Sequence, residues 1–304
     1  MNCLFCNQEH SVFRRGFYRR PSDQKKIQRY YCKLCRKGFS EQTAAIDYRQ
    51  RKRWFNQGCF TTICSGVSQR RTAYIFQVDP RTIARRVIRF GLICMKNLEA
   101  YRQTRPQVKN VQMDEMESFI HTKLKPVTIP IAVEKKTRKV LAVSIGDIGA
   151  KGKLKGLSLQ KYGRRPSQRK FCLSEMMKQL KSCVSEDARF MSDQSPFYPM
   201  LIREYFPKAT HKTCKGSRGA VVGLGELKKV AFDPIFTLNH TYAMFRDNLK
   251  TLNRRTWATA KRSDRLLLLL NIYAWFHNLW LDRKKTKPKL DSFFLKIFLQ
   301  ESSN

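Results

Sequence analysis

Two strand-like segments that each deliver one aspartate constrain the fold of this chain more than any other feature. Residues 111–119 (VQMDEMESF) carry Asp114 after an apolar alternation, and residues 188–199 (ARFMSDQSPFYP) carry Asp193 directly after an apolar strand. A carboxylate in such a place is costly to bury unless positive charge compensates it. Acids are also scarce, with 23 Asp and Glu against 61 Lys and Arg. The two segments therefore predict a pair of carboxylates that holds divalent metal.

The residues between the two aspartates predict how their strands are arranged. Residues 127–133 and 140–145 form a predicted β-hairpin, and residues 171–185 have the periodicity of a crossover helix. Three antiparallel strands, a crossover helix and a parallel strand are the plan of a ribonuclease H-like domain, in which the two aspartate strands are neighbours. We therefore predict an α/β fold over residues 109–304, a mixed sheet with flanking helices. The basic, glycine-rich segment 151–170 is expected to be a mobile insertion.

Neighbouring carboxylates predict the identity of the metal. Two of them a few ångströms apart cannot both stay ionised unless cations screen them. Mg²⁺ prefers hard oxygen ligands, and Mn²⁺ is the alternative ion. Two such ions would polarise a phosphodiester, activate an attacking hydroxyl and stabilise the leaving oxygen. Asp114 and Asp193 are thus candidate catalytic residues.

Two CxxC pairs near the start of the chain predict a second, structural metal site. Cys3 and Cys6 are separated by 25 residues from Cys32 and Cys35. Two such pairs close a tetrahedral Zn²⁺ site, so residues 1–48 are predicted to be a small zinc ribbon. The alternative is four reduced cysteines that bind no metal. Basic residues around the ribbon indicate contact with DNA phosphates, and a purely structural knuckle remains the other interpretation.

Residues 68–91 have two helical patterns broken at Val78-Asp79-Pro80. Ser68 and Asp79 are capping residues, and Pro80 suits a first helical turn. This arrangement is typical of a helix-turn-helix, so residues 49–105 are predicted to be an all-α DNA-binding domain. The side chains of the second helix expected to read DNA are Arg81, Thr82, Arg85, Arg86 and Arg89. The alternative is a basic helical hairpin on a larger fold, and the polar segment 97–108 is predicted to be a linker.

Taken together, the zinc ribbon, the helix-turn-helix and three motifs resemble the bacterial insertion-sequence transposases, near the insertion-sequence-one type. The motifs are DEMESF, SDQSPFYP and NHTYAMFRDNLKTLNRRTW, and the resemblance covers nearly the whole chain. It implies a triad of metal ligands on a ribonuclease H-like fold, with Asp114 and Asp193 at its first two positions. The third position falls on Asn239, where the family has Glu. Asn supplies a neutral oxygen and no charge, so Glu226 in a glycine-rich loop is the second candidate.

A stripe of cations follows Asn239. At 100° per residue, Asn239, Arg246 and Lys250 share one helix face, which suits DNA lying along the helix. Arg254 and Trp257 continue the stripe, and Trp257 would either stack on an unpaired base or pack in the core. The alternative for the stripe is a solvated basic face. Arg246, Lys250 and Arg254 are the predicted DNA contacts.

The charge balance predicts the partner. The formal net charge is +38 and is spread over all 304 residues, so a polyanion is expected to cover the molecule. Nucleic acid fits better than a membrane, because the sequence has no signal-peptide layout and its longest apolar stretch is interrupted by Asn271. We expect a cytoplasmic, nucleoid-associated protein that binds double-stranded DNA at element ends and at targets. A homo-oligomer is also expected.

The function predicted from the sequence is transposition. The chain would bind the terminal repeats of an insertion element and catalyse Mg²⁺-dependent strand cleavage and strand transfer. The principal alternative is a catalytically decayed DNA-binding regulator derived from such an enzyme, which Asn239 favours. A third class, an RNA-binding zinc-ribbon protein, has no visible recognition module.

Overall fold

The computed structural model describes residues 1–21, 24–43, 45, 47–214, 233–253 and 257–286, with side chains of the last range to residue 282. The chain divides into two compact units, residues 1–57 and 58–304. The helices that follow residue 58 belong to the same unit as the second sheet. The predicted division into domains 1–48, 49–105 and 109–304 stays a prediction.

The first unit is a three-stranded antiparallel sheet with very little apolar interior. Its strands, in the order β1-β2-β3, are Val12–Arg19, Lys26–Cys32 and Gly38–Ser40. Its buried cluster consists of Cys3, Cys32 and Phe39, and Ile27 and Phe55 are also buried. A core of this size releases too little hydrophobic free energy to hold a sheet together. The fold of this unit therefore needs a further constraint, such as a bound metal.

Three helices open the second unit: α1 (Asn56–Ile63), α2 (Gln69–Ile75) and α3 (Pro80–Thr104). Both predicted caps are confirmed. The Ser68 hydroxyl accepts a hydrogen bond from the backbone N–H of Arg71, and the Asp79 carboxylate accepts one from Arg81 at 2.7 Å. Pro80 occupies the first helical position, where its missing N–H costs nothing.

The predicted linker over residues 97–108 is wrong for most of its length, because α3 continues to Thr104. Leu98 is buried, and the Arg102 guanidinium donates to the carbonyl oxygen of Leu141 at 3.4 Å. These contacts hold polar-looking residues in the helix. The helix ends where Pro106 forces the preceding residue out of the helical region.

A mixed sheet forms the centre of the second unit. Its strands are β4 (Val108–Phe119), β5 (Pro126–Glu134), β6 (Val140–Val143), β7 (Gly146–Asp147), β8 (Val184–Ser192) and β9 (Thr210–Thr213). The order is β6-β5-β4-β8-β9, with β7 paired to β5. β4 is antiparallel to β5 and parallel to β8, and β8 is parallel to β9. The predicted adjacency of the two aspartate strands is confirmed.

Helices cover both faces of this sheet, which confirms the predicted mixed sheet with flanking helices. They are α4 (Leu154–Tyr162), α5 (Arg169–Leu180), α6 (Phe197–Tyr205), α7 (Phe236–Asn248) and α8 (Ser263–Thr286). A short 3₁₀ turn, Lys250–Leu252, follows α7. Helix α4 lies within segment 151–170, where an irregular insertion was predicted. The Ser158 hydroxyl donates to the carbonyl of Leu124 at 2.7 Å and fixes this helix on the β4–β5 loop.

The alternation along β4 decides which helices each side chain meets. Val111 and Met113 lie in the apolar core formed with α5 and α6. Gln112 points the other way and binds α7, through the carbonyl of Pro234 at 2.9 Å and the N–H of Leu238 at 3.1 Å. Asp114 shares the side of Gln112, because successive strand residues alternate between faces.

No helix within the described residues is long and apolar enough to cross a membrane.

Candidate metal site and nucleic-acid contacts

The register of two parallel strands brings the predicted aspartates together. Gln112 of β4 pairs with Met191 of β8, so two residues further along each strand Asp114 stands opposite Asp193. Asp193 is the first residue after β8, and its carboxylate accepts a hydrogen bond from the backbone N–H of Ser195 at 3.0 Å. Paired residues of neighbouring strands point to the same face. The two carboxyl groups therefore form one acidic site at the carboxyl end of β8.

The Asp114 carboxyl is mostly buried and lies near a second acid, Asp193. The pKa of this carboxyl is raised to about 7, chiefly by burial and in part by the nearby charge of Asp193. The Tyr198 hydroxyl, from α6, lies at hydrogen-bond distance from the carboxylate, at 3.5 Å. A carboxyl that holds its proton near neutral pH for these reasons would be ionised by a bound cation. The site is therefore chemically prepared for metal.

Glu115, the next residue, was not singled out from the sequence although it lies in the same motif. Its carboxylate accepts from the Thr128 hydroxyl at 2.6 Å and pairs with the Arg169 guanidinium at 3.1 Å. Arg169 also binds Glu117 at 3.0 Å. These contacts occupy the Glu115 carboxylate, so its role is to hold α5 against the sheet beside the acidic pair.

Tyr242 is the second residue that the sequence reasoning missed. It lies on α7 and is 6% exposed, and its hydroxyl has no hydrogen-bond partner among the described residues. Burial raises the pKa of Tyr242 well above its usual value, and the charges of Asp114, Glu115 and Asp193 act in the same direction. The sequence signal that could have indicated burial of Tyr242 is its spacing, one helical turn after the apolar Leu238 on α7. An unpaired hydroxyl beside two carboxylates suits a bound water or ion.

Asn239 lies on the exposed side of α7, one turn before Tyr242. Its amide donates to the Asp233 carboxylate at 2.6 Å, which leaves the amide oxygen free of that contact. Leu238, its neighbour, is bonded to Gln112, so the start of α7 is fixed two residues from Asp114 on the same sheet face. Asp233 is thus a carboxylate near the predicted third ligand that the sequence did not indicate. Glu226, the alternative third ligand, lies outside the described residues.

The acidic pair fits Mg²⁺ or Mn²⁺. Asp114 and Asp193 offer carboxylate oxygens, hard donors of the kind these ions select. The raised pKa of Asp114 and the unpaired Tyr242 hydroxyl both indicate groups that a hydrated cation would satisfy. Two carboxylates leave most of an octahedral shell for water and a phosphate oxygen. Asn239 as the third ligand stays a prediction.

The four cysteines of the first unit form a compact cluster. Their sulfur atoms all lie within 4.8 Å of one another, with Cys3 to Cys35 at 3.6 Å and Cys6 to Cys32 at 3.7 Å. A tetrahedral ion with metal–sulfur bonds of about 2.3 Å would separate its sulfurs by about 3.8 Å. The Ser11 hydroxyl lies 3.3 Å from the Cys32 sulfur and lowers the pKa of that thiol to about 6. The cluster is compatible with zinc.

The predicted DNA-contacting residues differ in accessibility. On α3, Arg81 and Arg85 are exposed and Thr82 and Arg89 are half-buried. Arg86 is 8% exposed and lies beside Cys59, so this side chain is not available on the surface as predicted. Near α7, Arg246 is exposed and Lys250 is half-buried, whereas Arg254 lies outside the described residues.

Comparison with known proteins gives a limited result. No family model and no curated protein matches the chain. Among solved structures, the Mos1 strand transfer complex matches with 10% identity over 69% of this chain and 73% of that chain, at a TM-score of 0.25. The catalytic domain of Mos1 mariner transposase matches with 12% identity over 63% and 91%, also at 0.25. A pre-cleavage Mos1 transpososome matches with 10% identity over 69% of this chain and 73% of that chain, at a TM-score of 0.22. Similarity at this level does not assign the chain to a family.

Proposed function

We propose that this chain is a DNA transposase that cuts and joins strands with divalent metal bound by Asp114 and Asp193. The observation that carries the proposal is the register of β4 and β8, which makes these two acids neighbours on one sheet face. A buried carboxyl with a raised pKa beside a second carboxylate would become ionised on binding a cation, as expected of a metal ligand. Asn239 would complete the ligand set weakly, with a neutral oxygen.

The residues around the acids have separate tasks in this reaction. Mg²⁺, when bound, supplies the positive charge that activates the attacking hydroxyl and stabilises the leaving oxygen. Asp114 and Asp193 would hold that ion at the edge of the sheet. Tyr198 fixes the Asp114 carboxylate by its hydrogen bond, and the unpaired Tyr242 hydroxyl is available to a water or phosphate oxygen in the same site. Arg246, exposed one turn beyond Tyr242, holds a neighbouring phosphate of the same strand.

The rest of the chain supports the same proposal. The strand order, with three antiparallel strands followed by a parallel pair, is consistent with a ribonuclease H-like catalytic domain. The four-cysteine cluster is consistent with a zinc ribbon. The helices α2 and α3, capped at Ser68 and Asp79, are consistent with a helix-turn-helix whose exposed Arg81 and Arg85 contact duplex DNA. A net charge of +38 suits a protein that covers DNA ends and target together.

Strand transfer from a duplex that carries the sequences flanking the gene tests the proposal. Asp114→Asn and Asp193→Asn are expected to lower Mn²⁺- or Mg²⁺-dependent cleavage by at least about 100-fold, since each removes a charged ligand of the reacting centre. Glu186→Gln is the matched control, because Glu186 is an exposed acid on β8, the strand that Asp193 follows. Mn²⁺ binding followed by electron paramagnetic resonance gives a second readout. Full activity and unchanged Mn²⁺ binding in Asp193→Asn would overturn the assignment.

The second candidate function is DNA binding without catalysis, as a regulator derived from a transposase. Asn239 favours it, since its amide group is engaged by Asp233 and supplies no charge to a metal. Such a protein would bind element ends with the affinity of an active enzyme and show no metal-dependent cleavage. It would also tolerate Asp193→Asn without change in any measured property. Comparison of end binding and end cleavage in one preparation separates the two candidates.

A further inference from the structure

A cationic pocket lies at the far end of the β4–β5 hairpin from the acidic site. It has a volume of about 470 Å³, and Ile120 lies at its base where β4 ends. Its charged lining residues are Lys125, Arg165, Lys261, Arg262, Asp147 and Asp264. Four cations against two carboxylates give the pocket an excess of two positive charges.

The ion pairs within the pocket show which charges are left over. Arg165 binds Asp147 at 2.9 Å, and Arg262 binds both oxygens of Asp264 at 2.9 Å. Lys125 and Lys261 have no carboxylate within 4.0 Å in the part of the chain that the structure describes, and Lys125 lies over the ring of Tyr162 at 4.0 Å. Two unneutralised ammonium groups in a concave site attract an anion such as a phosphate.

Trp257 precedes Lys261, a lining residue of this pocket, by four positions and is fully exposed, at 100%. Its segment is held in place on the loop after β4, because the carbonyl of Ala260 accepts from the His121 N–H at 2.8 Å. The N–H of Thr259 in turn donates to the carbonyl of Trp257 at 2.9 Å. Four residues span at most about 14 Å between the Cα atoms of Trp257 and Lys261, so the indole lies on the segment that leads into the pocket. An exposed indole on such a segment can stack on an unpaired base.

The length of β4 between Asp114 and Ile120 gives the distance from the acidic site to the pocket. Six residues separate Asp114 from Ile120 along β4. At about 3.3 Å per residue, this corresponds to about 20 Å. A strand with the stacked geometry of the duplex advances about 3.4 Å per nucleotide, so the same span is about six nucleotides of such a strand.

We propose that Lys125, Lys261 and Trp257 form a subsite for unpaired DNA, about six nucleotides from the phosphate held at the acidic pair. The two ammonium groups bind a phosphate of the strand, and the indole stacks on a base that is outside the duplex. A paired base presents no free face, so the subsite distinguishes single-stranded or opened DNA from an intact duplex. The identity of the ligand as DNA rests on the proposed function, whereas the pocket and the exposed ring do not.

Tryptophan fluorescence of the full-length, zinc-loaded protein tests this subsite. Trp54 and Trp280 are also exposed, at 70% and 38%, and Trp275 is buried, so Trp54→Phe with Trp280→Phe provides a background in which Trp257 dominates the DNA response. A twelve-nucleotide oligothymidine is expected to quench this variant, and the blunt duplex of the same length is expected to quench it far less. Adding Trp257→Phe should remove the quenching. Trp257→Ala should weaken binding of the single strand by about 5- to 150-fold, the range for one stacked base.

The lysines are tested by salt dependence. Lys125→Ala with Lys261→Ala should reduce the slope of log affinity against log salt by about 0.7, since the two lysines bind one phosphate and each phosphate of a single strand contributes about 0.7. Lys135→Ala with Lys136→Ala, two exposed residues at the other end of the hairpin, is the matched control and should leave quenching at Trp257 intact.

Two results would overturn the subsite: equal affinity of Trp257→Ala and wild type for the oligothymidine, or stronger quenching by the duplex. Asp114→Asn should abolish cleavage and leave the quenching intact, because the subsite does not include Asp114. Quenching in a wild-type chain that shows no metal-dependent cleavage would support the subsite and remove the catalytic proposal. Cleavage that proceeds while Trp257 shows no quenching supports catalysis and removes the subsite.

Discussion

Replacing Asp114 by Asn should change how the stability of the second unit depends on pH. The pKa of Asp114 is about 7 in the folded protein against 3.8 for an unperturbed carboxyl. The folded state therefore binds a proton between these two values that the unfolded state has released. Its contribution to the free energy of unfolding is fully present below pH 3.8 and is lost as the pH rises through about 7.

The magnitude follows from the two pKa values. Each pH unit in this window costs about 1.4 kcal/mol, so the wild-type protein should lose about 3 kcal/mol through Asp114 between pH of about 5 and about 8. Asp114→Asn cannot ionise and should lack that part of the loss. The variant is thus expected to be more stable than wild type at the higher pH, although it has lost a proposed metal ligand.

Denaturant unfolding followed by the buried Trp275 gives the required free energies. The buffers are stripped of Mg²⁺ over a chelating resin, so that no ion compensates the carboxyl. Glu186→Gln, which removes an exposed acid of β8, should keep the wild-type slope. Adding Mg²⁺ at high pH should restore stability to wild type and not to Asp114→Asn. Equal pH slopes for Asp114→Asn and wild type would refute the reasoning, because they would mean that the carboxyl is not held in its neutral form.

Three further changes test separate parts of the fold. Cys32→Ser should weaken zinc binding by more than about 100-fold and unfold the sheet of residues 1–57, whereas Ser11→Ala should weaken it only about tenfold, as measured by zinc release to a colorimetric chelator. Equal effects would show that Cys32 is not a ligand. Gly91→Ala should destabilise the second unit by about 1–3 kcal/mol in urea unfolding, because the added Cβ would lie 2.6 Å from Cβ of Leu268 on α8. An unchanged unfolding midpoint would contradict the close packing of α3 on α8. Asn278→Leu should cost about 2–4 kcal/mol by the same assay, since the Asn278 amide pairs with both the N–H and the carbonyl of Val140, at 2.7 and 2.8 Å. Tolerance of leucine there would mean that solvent can replace both bonds.

The arrangement of the sheet could be predicted because the sequence pattern that defines each strand lies within the strand itself. Alternating apolar residues define each strand, and the order of hairpin, crossover helix and strand leaves few ways to connect them. For the same reason the capping residues Ser68 and Asp79 were recognisable, since a cap acts within three residues of itself. The adjacency of Asp114 and Asp193 followed from that plan.

Features that depend on distant partners could not be predicted. Arg86 has the sequence position of a DNA-reading residue, yet the packing around Cys59 buries it. Residues 97–104 look polar, yet tertiary contacts such as that of Arg102 with Leu141 keep them helical. Tyr242 carries no sequence signal of its role, because only the packing of α7 on β4 brings its hydroxyl to the acids.

Under the proposed function, helix α3 has a mechanical consequence. It is one unbroken helix of 25 residues, about 38 Å long, which begins at Pro80, next to the exposed Arg81, and ends near β6 at the edge of the mixed sheet. Because the helix has no hinge, its length would fix the spacing between the bases that Arg81 contacts and the bond that is cut. Inserting one alanine in its middle would lengthen the helix by about 1.5 Å and rotate Arg81 by about 100° relative to the sheet.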